Sequence, residues 1–340
     1  RKVTLFPYTT LFDLFIAMTG LRIDQAGPRT TVQDLGRQGY QHQGLSPGGA
    51  ADLASFRWAN HLLDNPANAA CLEITFGGFT ATANQPLLLA ITGADCRPTV
   101  NNQPMGHWRA FTMAPGDCLR LGRPRSGLLT YLAVTGGWQS RAFCGSRSAV
   151  AREGLTGLGL LEDGAELPVT TSAPTTAPEY YRAREVPANL RPDMASGAPL
   201  RVMPGPERDA FSHTDLARFI NGRYTIGQQS DRMGYRLDGP ALQSPGGITS
   251  RGVCRGTIQV PGDGKPMVLL NDRQTIGGYP VPGIVPALDC GRLAQKRPGG
   301  QIEFRWADVA DCQAGRMLFE RLLATSQWHN DGTLRCHWTD

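Results

Sequence analysis

Short apolar runs separated by tight-turn residues recur along this sequence and constrain its fold more than any other feature. The clearest runs are CLEITF at residues 71–76, LLLAIT at 87–92 and LLTYLAVT at 128–135. The segments between them are rich in Gly-Gly and Pro-Gly pairs, and the 340 residues include 41 glycines and 25 prolines. Because glycine allows positive φ and proline fixes φ, both favour turns over long helices. The sequence therefore predicts a mainly β protein with a few helices.

The length of the chain and one change in composition predict two domains. Residues 169–199 are rich in Thr, Ala and Pro, which is typical of a linker that buries little surface. We expect an N-terminal domain over residues 18–168, a C-terminal domain over 200–326 and a tail over 327–340. Residues 1–17 precede the first methionine, Met18, and we expect them to be a non-native leader.

The spacing of apolar residues predicts three helices, over residues 50–63, 207–221 and 307–326. The last has an apolar stripe that consists of Val309, Leu318, Leu322 and Leu323. Further strands of the second half are expected at residues 200–203, 257–260, 267–270 and 302–306.

Charge and motif content exclude several classes of function. The 34 basic and 29 acidic residues are mixed along the chain, so a dedicated nucleic-acid binder is not expected. No apolar run reaches the roughly 18 residues of a membrane span. The eight cysteines form no C-x-x-C pair, which favours reduced thiols in a cytoplasmic protein. The histidines lack metal-ligand spacing, and we assign no metal site.

One segment matches a catalytic motif in letters only. Residues 44–48, GLSPG, fit the G-x-S-x-G nucleophile elbow, but Pro47 follows the serine. Because that position must supply a backbone N–H to an oxyanion hole, and proline has none, we interpret the segment as a turn.

A first cluster of polar residues spans 26–40 and 44–52, and includes Asp34 and Arg37. Asp52 stands near the start of a predicted helix, where a carboxylate stabilises the helix terminus. Asp34 and Arg37 are spaced to pair with each other. A structural and a functional interpretation of this cluster are both open.

A second polar cluster is denser and spans residues 230–237, 256–261 and 271–280, followed by Asp289 and Gln295. Gln259 interrupts an apolar strand, where an unpaired amide would cost a few kcal/mol, about 1–3. Asp272 and Gln274 follow another apolar strand, and Arg232 offers a planar guanidinium suited to a carboxylate. The cluster predicts binding of a small planar acid or amide. A hydrogen-bonded turn network inside one barrel is the alternative.

Motifs from both clusters occur in order along residues 21–306 and carry a family resemblance. They are AGPRTTVQDLGRQGY, GLSPGGAADLASFRWAN, LEITFGG, SDRMGYRL, GTIQVP and NDRQTIGGYP. Together they resemble the biotin-dependent carboxyltransferase family, also described as allophanate hydrolase subunit 2 or the C subunit of prokaryotic 5-oxoprolinase. This resemblance implies two tandem cyclophilin-like β-barrel domains.

The same resemblance implies an enzyme subunit that is inactive or weakly active alone. The expected role is the C subunit of an ATP-dependent 5-oxoprolinase, which converts 5-oxoproline to L-glutamate together with an A subunit and a kinase-inhibitor-like B subunit. One alternative is biotin-dependent carboxyl transfer to urea or another small amide. Another is a non-catalytic regulatory binder of a kinase-inhibitor-like partner. The sequence contains neither a biotinylation motif nor a phosphate-binding loop, so we expect ATP and any biotin to come from other chains.

For a small amide or lactam substrate, we expect three catalytic residues. Arg232 would hold a carboxylate, Gln274 would hydrogen-bond the amide, and Asp272 would orient the amide N–H or act as a base. The expected substrate-binding residues are Gln259, Ser230, Thr275, Gly277, Gly278, Tyr279, Asp34 and Arg37.

Overall fold

A computed structural model of the chain describes residues 19–154, 159–170 and 179–336. The predicted leader, residues 1–17, lies outside the described residues. So do parts of the predicted linker and tail, at residues 171–178 and 337–340.

The first half of the described chain forms two antiparallel sheets. Its strands are β1 (Thr19–Gln25), β2 (Arg29–Gln33), β3 (Cys71–Thr75), β4 (Phe79–Ala83), β5 (Leu87–Gly93), β6 (Thr99–Val100), β7 (Gln103–Pro104), β8 (Arg109–Met113), β9 (Cys118–Leu121), β10 (Leu129–Val134) and β11 (Glu166–Pro168). One sheet has the order β11-β1-β4-β9-β6-β7 and the other β2-β3-β10-β5-β8. The apolar core of this half includes side chains from both sheets.

Helix α1 (Leu53–His61) covers the second of these sheets and confirms the helix predicted over residues 50–63. Asp52 caps it by accepting hydrogen bonds from the backbone N–H groups of Ala54 and Ser55. Because α1 lies on one face of this sheet and the core on the other, β5 and β10 are buried along their whole length. This explains why both strands are continuous apolar runs in the sequence.

The segment between the halves contains a short helix, α2 (Glu179–Ala183), and a 3₁₀ turn at Ala188–Leu190. Val186 between them is fully buried against the first half.

The second half forms a closed seven-stranded barrel. The strands of the second half, seven of them in the barrel, are β12 (Leu200–Pro204), β13 (Arg223–Ile226), β14 (Gly234–Asp238), β15 (Arg251–Gly252), β16 (Thr257–Gln259), β17 (Met267–Leu269), β18 (Ile276–Gly277), β19 (Gly283–Ile284) and β20 (Gln301–Trp306). The barrel order is β12-β19-β16-β17-β14-β13-β20, and β15 and β18 pair separately. The prediction of a mainly β fold is confirmed, and β12, β16, β17 and β20 match the four strands expected here.

Two helices pack against the core of this barrel, α3 (His213–Asn221) and α4 (Ala287–Ala294). The prediction of one helix over residues 207–221 is wrong in its first turn. Residues Arg208–Ala210 form a separate 3₁₀ turn. The α-helix begins only after Ser212, whose hydroxyl accepts a hydrogen bond from the N–H of Asp215.

The C-terminal helix α5 (Val309–Thr325) returns to the first half of the chain. The hairpin of β21 (Ser326–Trp328) and β22 (Leu334–Cys336) follows it. Trp328 Nε1 donates to the backbone oxygen of His61 at 2.9 Å. The predicted apolar stripe on α5 is wrong in part, because Val309 and Leu318 are 48% and 58% exposed. Leu323, in the C-terminal part of the helix, belongs to the core, and Cys312 near the start of the helix is also buried.

The helices in the described part of the chain are too short or too polar to cross a bilayer. All eight cysteines are free thiols, and Cys254 is the exposed one.

Candidate functional site

The two predicted polar clusters meet where the halves of the chain touch. The loop of residues 44–50 lies against the end of β17. Asn271 Nδ2 donates to the three successive carbonyl oxygens of residues 48–50 at 3.1, 2.9 and 3.1 Å. Ser46 Oγ donates to the backbone oxygen of Arg273 at 2.9 Å. Within the GLSPG segment Gly44 is exposed, whereas Ser46, Pro47 and Gly48 are buried where the halves meet.

The approach of this loop depends on Gly49, whose φ is +91°. A Cβ at this position would lie about 3.0 Å from the backbone carbon of Leu35. Only glycine adopts this conformation without strain and leaves space for the neighbouring backbone.

Arg232 is at the centre of the contact between the halves. Its guanidinium binds Asp272 in bidentate fashion, with Nε–Oδ2 at 3.0 Å and Nη2–Oδ1 at 2.9 Å. Nη2 also donates to the backbone oxygen of Gly49 at 2.7 Å, and Nη1 donates to Oε1 of Glu73. All three charged side chains are at least nine-tenths buried. Arg232 therefore holds carboxylates, and those carboxylates belong to the chain itself.

The electrostatics of this network keep the guanidinium charged. Burial alone would lower the pKa of Arg232, but the carboxylates of Asp272 and Glu73 outweigh burial and leave the pKa above its ordinary value. Glu73 Oε2 accepts two more hydrogen bonds, from Tyr131 Oη at 2.7 Å and from the N–H of Ala51 at 2.8 Å. Both oxygens of Glu73 are thus satisfied within the protein.

A cavity of about 290 Å³ opens beside Asp272 and Arg232. Two further arginines line it, Arg29 and Arg152, and Arg29 Nη2 lies 3.7 Å from Asp272 Oδ2. Both of these arginines are partly exposed, and the exposed Asp231 also lines the cavity, so its rim carries charges of both signs beside the buried carboxylate of Asp272. This arrangement suits a small polar ligand.

A second feature is the buried amide of Gln259 in β16. The side chain has no solvent exposure, and its Oε1 accepts a hydrogen bond from Gln274 Nε2 at 3.4 Å. Its Nε2 has no hydrogen-bond partner among the described residues. Gly277 lies directly over this amide, where an added Cβ would be 2.2 Å from Nε2. A buried amide with a spare donor is the kind of group that a ligand carbonyl satisfies.

The remaining predicted residues of the second cluster are spread around this end of the barrel. Ser230 is half-buried in the connection between β13 and β14, where its Oγ accepts from the N–H of Arg236 at 3.1 Å. Thr275 is partly buried, Gly278 lies against Ser250, and Tyr279 is 45% exposed.

The predicted residues of the first cluster organise loops. Asp34 is buried and accepts hydrogen bonds from the N–H of Gly36 and the hydroxyls of Ser146 and Ser148. Arg37 donates to the backbone oxygens of Ser46 and Ser148 at 3.1 and 2.5 Å. The structure thus gives each of them its own partners and does not pair them with each other.

The two residues that end the second cluster also have partners inside the chain. Gln295 joins the halves, because its Oε1 accepts from the N–H of Leu129 at 2.9 Å and its Nε2 donates to Asp52 at 2.8 Å. Asp289 binds Arg201, with Nη2–Oδ2 at 2.7 Å.

Sequence reasoning assigned no individual role to Glu73 or to Asn271, which lies in the second cluster, and both are buried at the contact between the halves. The signal for Glu73 was available, because it is a lone carboxylate inside the apolar run CLEITF. A charged residue in a buried strand has a partner in nearly every case. Asn271 carried no such signal, since an amide at the end of a strand is common in turns.

Comparison with known proteins places this geometry in a family. The family model described as carboxyltransferase domain, subdomain A and B, matches residues 43–306. The chain belongs to this family. The C subunit of 5-oxoprolinase from Escherichia coli (strain K12) is 35% identical over 317 residues, which cover 92% of this chain and 99% of that protein. Urea amidolyase from Lachancea kluyveri is 28% identical over 94% of this chain and 18% of its own length.

The fold has also been seen in a solved structure. The crystal structure of the K. lactis urea amidolyase matches 92% of this chain with a TM-score of 0.83. It is 24% identical, and the matched part is 20% of that chain. At this identity the likeness concerns the fold alone.

Proposed function

We propose that this protein is the C subunit of an ATP-dependent 5-oxoprolinase, the enzyme that opens 5-oxoproline to L-glutamate. The observation that carries the proposal is the 35% identity to a protein of that name over 99% of its length. In this proposal the protein works in a complex with the A and B subunits of the enzyme, and the complex uses ATP.

The chemistry of the substrate suits the polar groups of the second cluster. The lactam of 5-oxoproline has a carbonyl oxygen to polarise and an N–H to orient. In this proposal the amides of Gln259 and Gln274 bind the lactam, and the spare Nε2 of Gln259 donates to its carbonyl. Asp272 orients the lactam N–H or removes a proton. In this proposal Thr275 and Gly277 form part of the wall of the substrate site.

Arg232 has a positioning role in this proposal. Its bidentate contact fixes both oxygens of Asp272, and Glu73 and Gly49 fix the guanidinium in turn. A carboxylate held in this way keeps one orientation when the substrate arrives.

The test is glutamate release from 5-oxoproline and ATP by the A and B subunits, with this chain added or omitted. We expect turnover to require the chain, and equal rates with and without it reject the proposal. Asp272→Asn keeps the side-chain volume and should lower kcat at least about 100-fold, the scale for loss of a positioned catalytic group. Asp263→Asn, an exposed carboxylate in a turn, is the matched control and should leave kcat unchanged.

The likeness to urea amidolyase favours one second candidate, carboxyl transfer to urea or another small amide. In that case a biotin group carried on another chain supplies the carboxyl group. Incorporation of labelled bicarbonate into urea in the presence of a biotin carrier, with no glutamate formed from 5-oxoproline, would select this candidate instead.

A further inference from the structure

Arg273 is a buried cation without a carboxylate partner. It is only 6% exposed, yet its hydrogen bonds go to neutral carbonyl oxygens, from Nε to Val253 at 3.2 Å and from Nη1 to Leu270 at 3.3 Å. Within the described ranges, Nη2 donates to no protein atom, and no carboxylate forms an ion pair with this guanidinium. By contrast, Arg232 forms ion pairs with two carboxylates, those of Glu73 and Asp272.

Such an arrangement costs stability. Burial lowers the pKa of Arg273, because the guanidinium loses its hydration and gains no nearby anion in exchange. Buried charges in proteins are otherwise paired. The missing partner therefore points to a ligand.

A cavity of about 420 Å³ adjoins this guanidinium. Arg251, Cys254, Thr257, Thr275 and Gln41 also line it, and its lining contains no acidic residue. Arg251 already binds Glu207, with Nη2–Oε2 at 2.5 Å, so Arg273 is the arginine of this cavity without a counter-ion. Threonine hydroxyls beside a planar guanidinium are suitable partners for a carboxylate.

The cavity borders the buried amide described above. Val253 lines the cavity, and its Cγ1 would lie 3.2 Å from a Cβ added to Gly277. The same added atom would meet Gln259 Nε2. Anion binding and amide recognition are thus close neighbours on the barrel.

We propose that this cavity binds the carboxylate of a small organic acid, with Arg273 as the counter-ion. Its identification with the carboxylate of 5-oxoproline rests on the proposed function. Arg273 takes the anchoring role that the sequence suggested for Arg232, whose guanidinium is occupied by Glu73 and Asp272.

The experiment measures ligand-induced shifts in melting temperature of the full chain, titrated with 5-oxoproline, acetate and 2-pyrrolidinone. Both carboxylates should stabilise the wild type, because a ligand that binds only the folded state raises its stability. 2-Pyrrolidinone has the lactam but no carboxylate. It should need at least about 10-fold higher concentration than 5-oxoproline for the same shift in melting temperature, because it lacks the hydrogen bond to a charged group. Arg273→Gln should weaken the binding of 5-oxoproline and acetate about 10- to 100-fold, and Arg273→Lys should weaken their binding less.

Arg223→Gln is the matched control, because Arg223 is an exposed arginine on β13 that pairs with Glu303. It should bind both carboxylates like the wild type. If Arg273→Gln does not fold, Thr275→Val carries the test, since it removes one hydroxyl of the cavity wall at constant shape. It should weaken 5-oxoproline about 10-fold.

Equal titrations for the wild type and Arg273→Gln would overturn the proposal. So would a wild type that neither carboxylate stabilises, or equal binding of 5-oxoproline and 2-pyrrolidinone. Failure of the proposed function has a different signature, in which acetate binding still depends on Arg273 while the assembled complex releases no glutamate.

Discussion

Replacement of Arg232 by methionine tests whether the buried ionic network holds the halves of the chain together. The side chain donates four hydrogen bonds, three of them to carboxylates. Summing about 1.5–3 kcal/mol for each bond to a charged group would overestimate the effect, since burying the three ions costs several kcal/mol. The net loss should follow from two buried carboxylates left without their cation. We therefore expect the free energy of unfolding to fall by about 3–5 kcal/mol.

The measurement is urea-induced unfolding of the variant, the wild type and Arg223→Met. Arg223 and Glu303 form an ion pair at 3.0 Å with both side chains exposed, and its loss should cost at most about 1 kcal/mol. An unchanged dependence of the unfolding free energy on urea shows that the same transition is compared. Combining Arg232→Met with Glu73→Gln should cost less than the sum of the single changes. If Arg232→Met costs no more than Arg223→Met, the network contributes nothing to the contact.

Three other perturbations follow from single contacts. Tyr131→Phe should cost about 1–3 kcal/mol in urea unfolding, because it leaves the backbone N–H of Asp52 without its acceptor and removes one of the two hydrogen bonds to Glu73 Oε2. Tyr224→Phe is its control and should cost less than about 0.5 kcal/mol, since that buried hydroxyl has no partner among the described residues. Gly277→Ala should lower the melting temperature and weaken the binding of 5-oxoproline, whereas Gly262→Ala, at an exposed turn with open space around it, should change neither. Burial lowers the pKa of His61 to about 4, below its unfolded value near 6.5, so its contribution to stability is complete above pH 6.5 and is lost as the pH falls toward 4. The melting temperature of the wild type should therefore fall more between pH 7 and 5 than that of His61→Gln, and parallel curves would contradict this.

The sequence predicted the fold best where strands are buried on both faces. The bounds of β3, β5 and β10 lie within two residues of the apolar runs that predicted them. Packing on both faces makes such a strand a nearly continuous apolar run, in which a few buried polar residues such as Glu73 are the exceptions. The apolar stripe on α5 predicted more burial than the structure shows, because other parts of the protein cover only some turns of that helix. Apolar residues occur in its exposed turns as well as in its buried ones, so the pattern does not tell them apart.

The candidate site was predictable in its residue types and not in its contacts. Arg232 and Glu73 are 159 residues apart in the chain, and Asn271 and Gly49 are 222 apart. No local pattern links partners at such separations. The polar density of both clusters was visible, and so was the single amide that interrupts β16. What remained hidden was that one cluster supplies hydrogen-bond partners to the other.

Asp272 and Arg273 show how neighbouring residues at one strand end can serve different purposes. Asp272 is part of a network whose charges are matched inside the protein, as expected for a group that stabilises the fold and is held in one orientation. Arg273 is buried at the same strand end without a matching charge, and an apolar side chain would fill its place at lower cost. The unmatched charge of Arg273 is what marks it as a residue kept for a ligand, whereas the matched charge of Asp272 is compatible with a role in the fold and in catalysis. It follows that removing the charge of Arg273 should leave the unliganded protein as stable as the wild type or more so, while removing the charge of Arg232 should not.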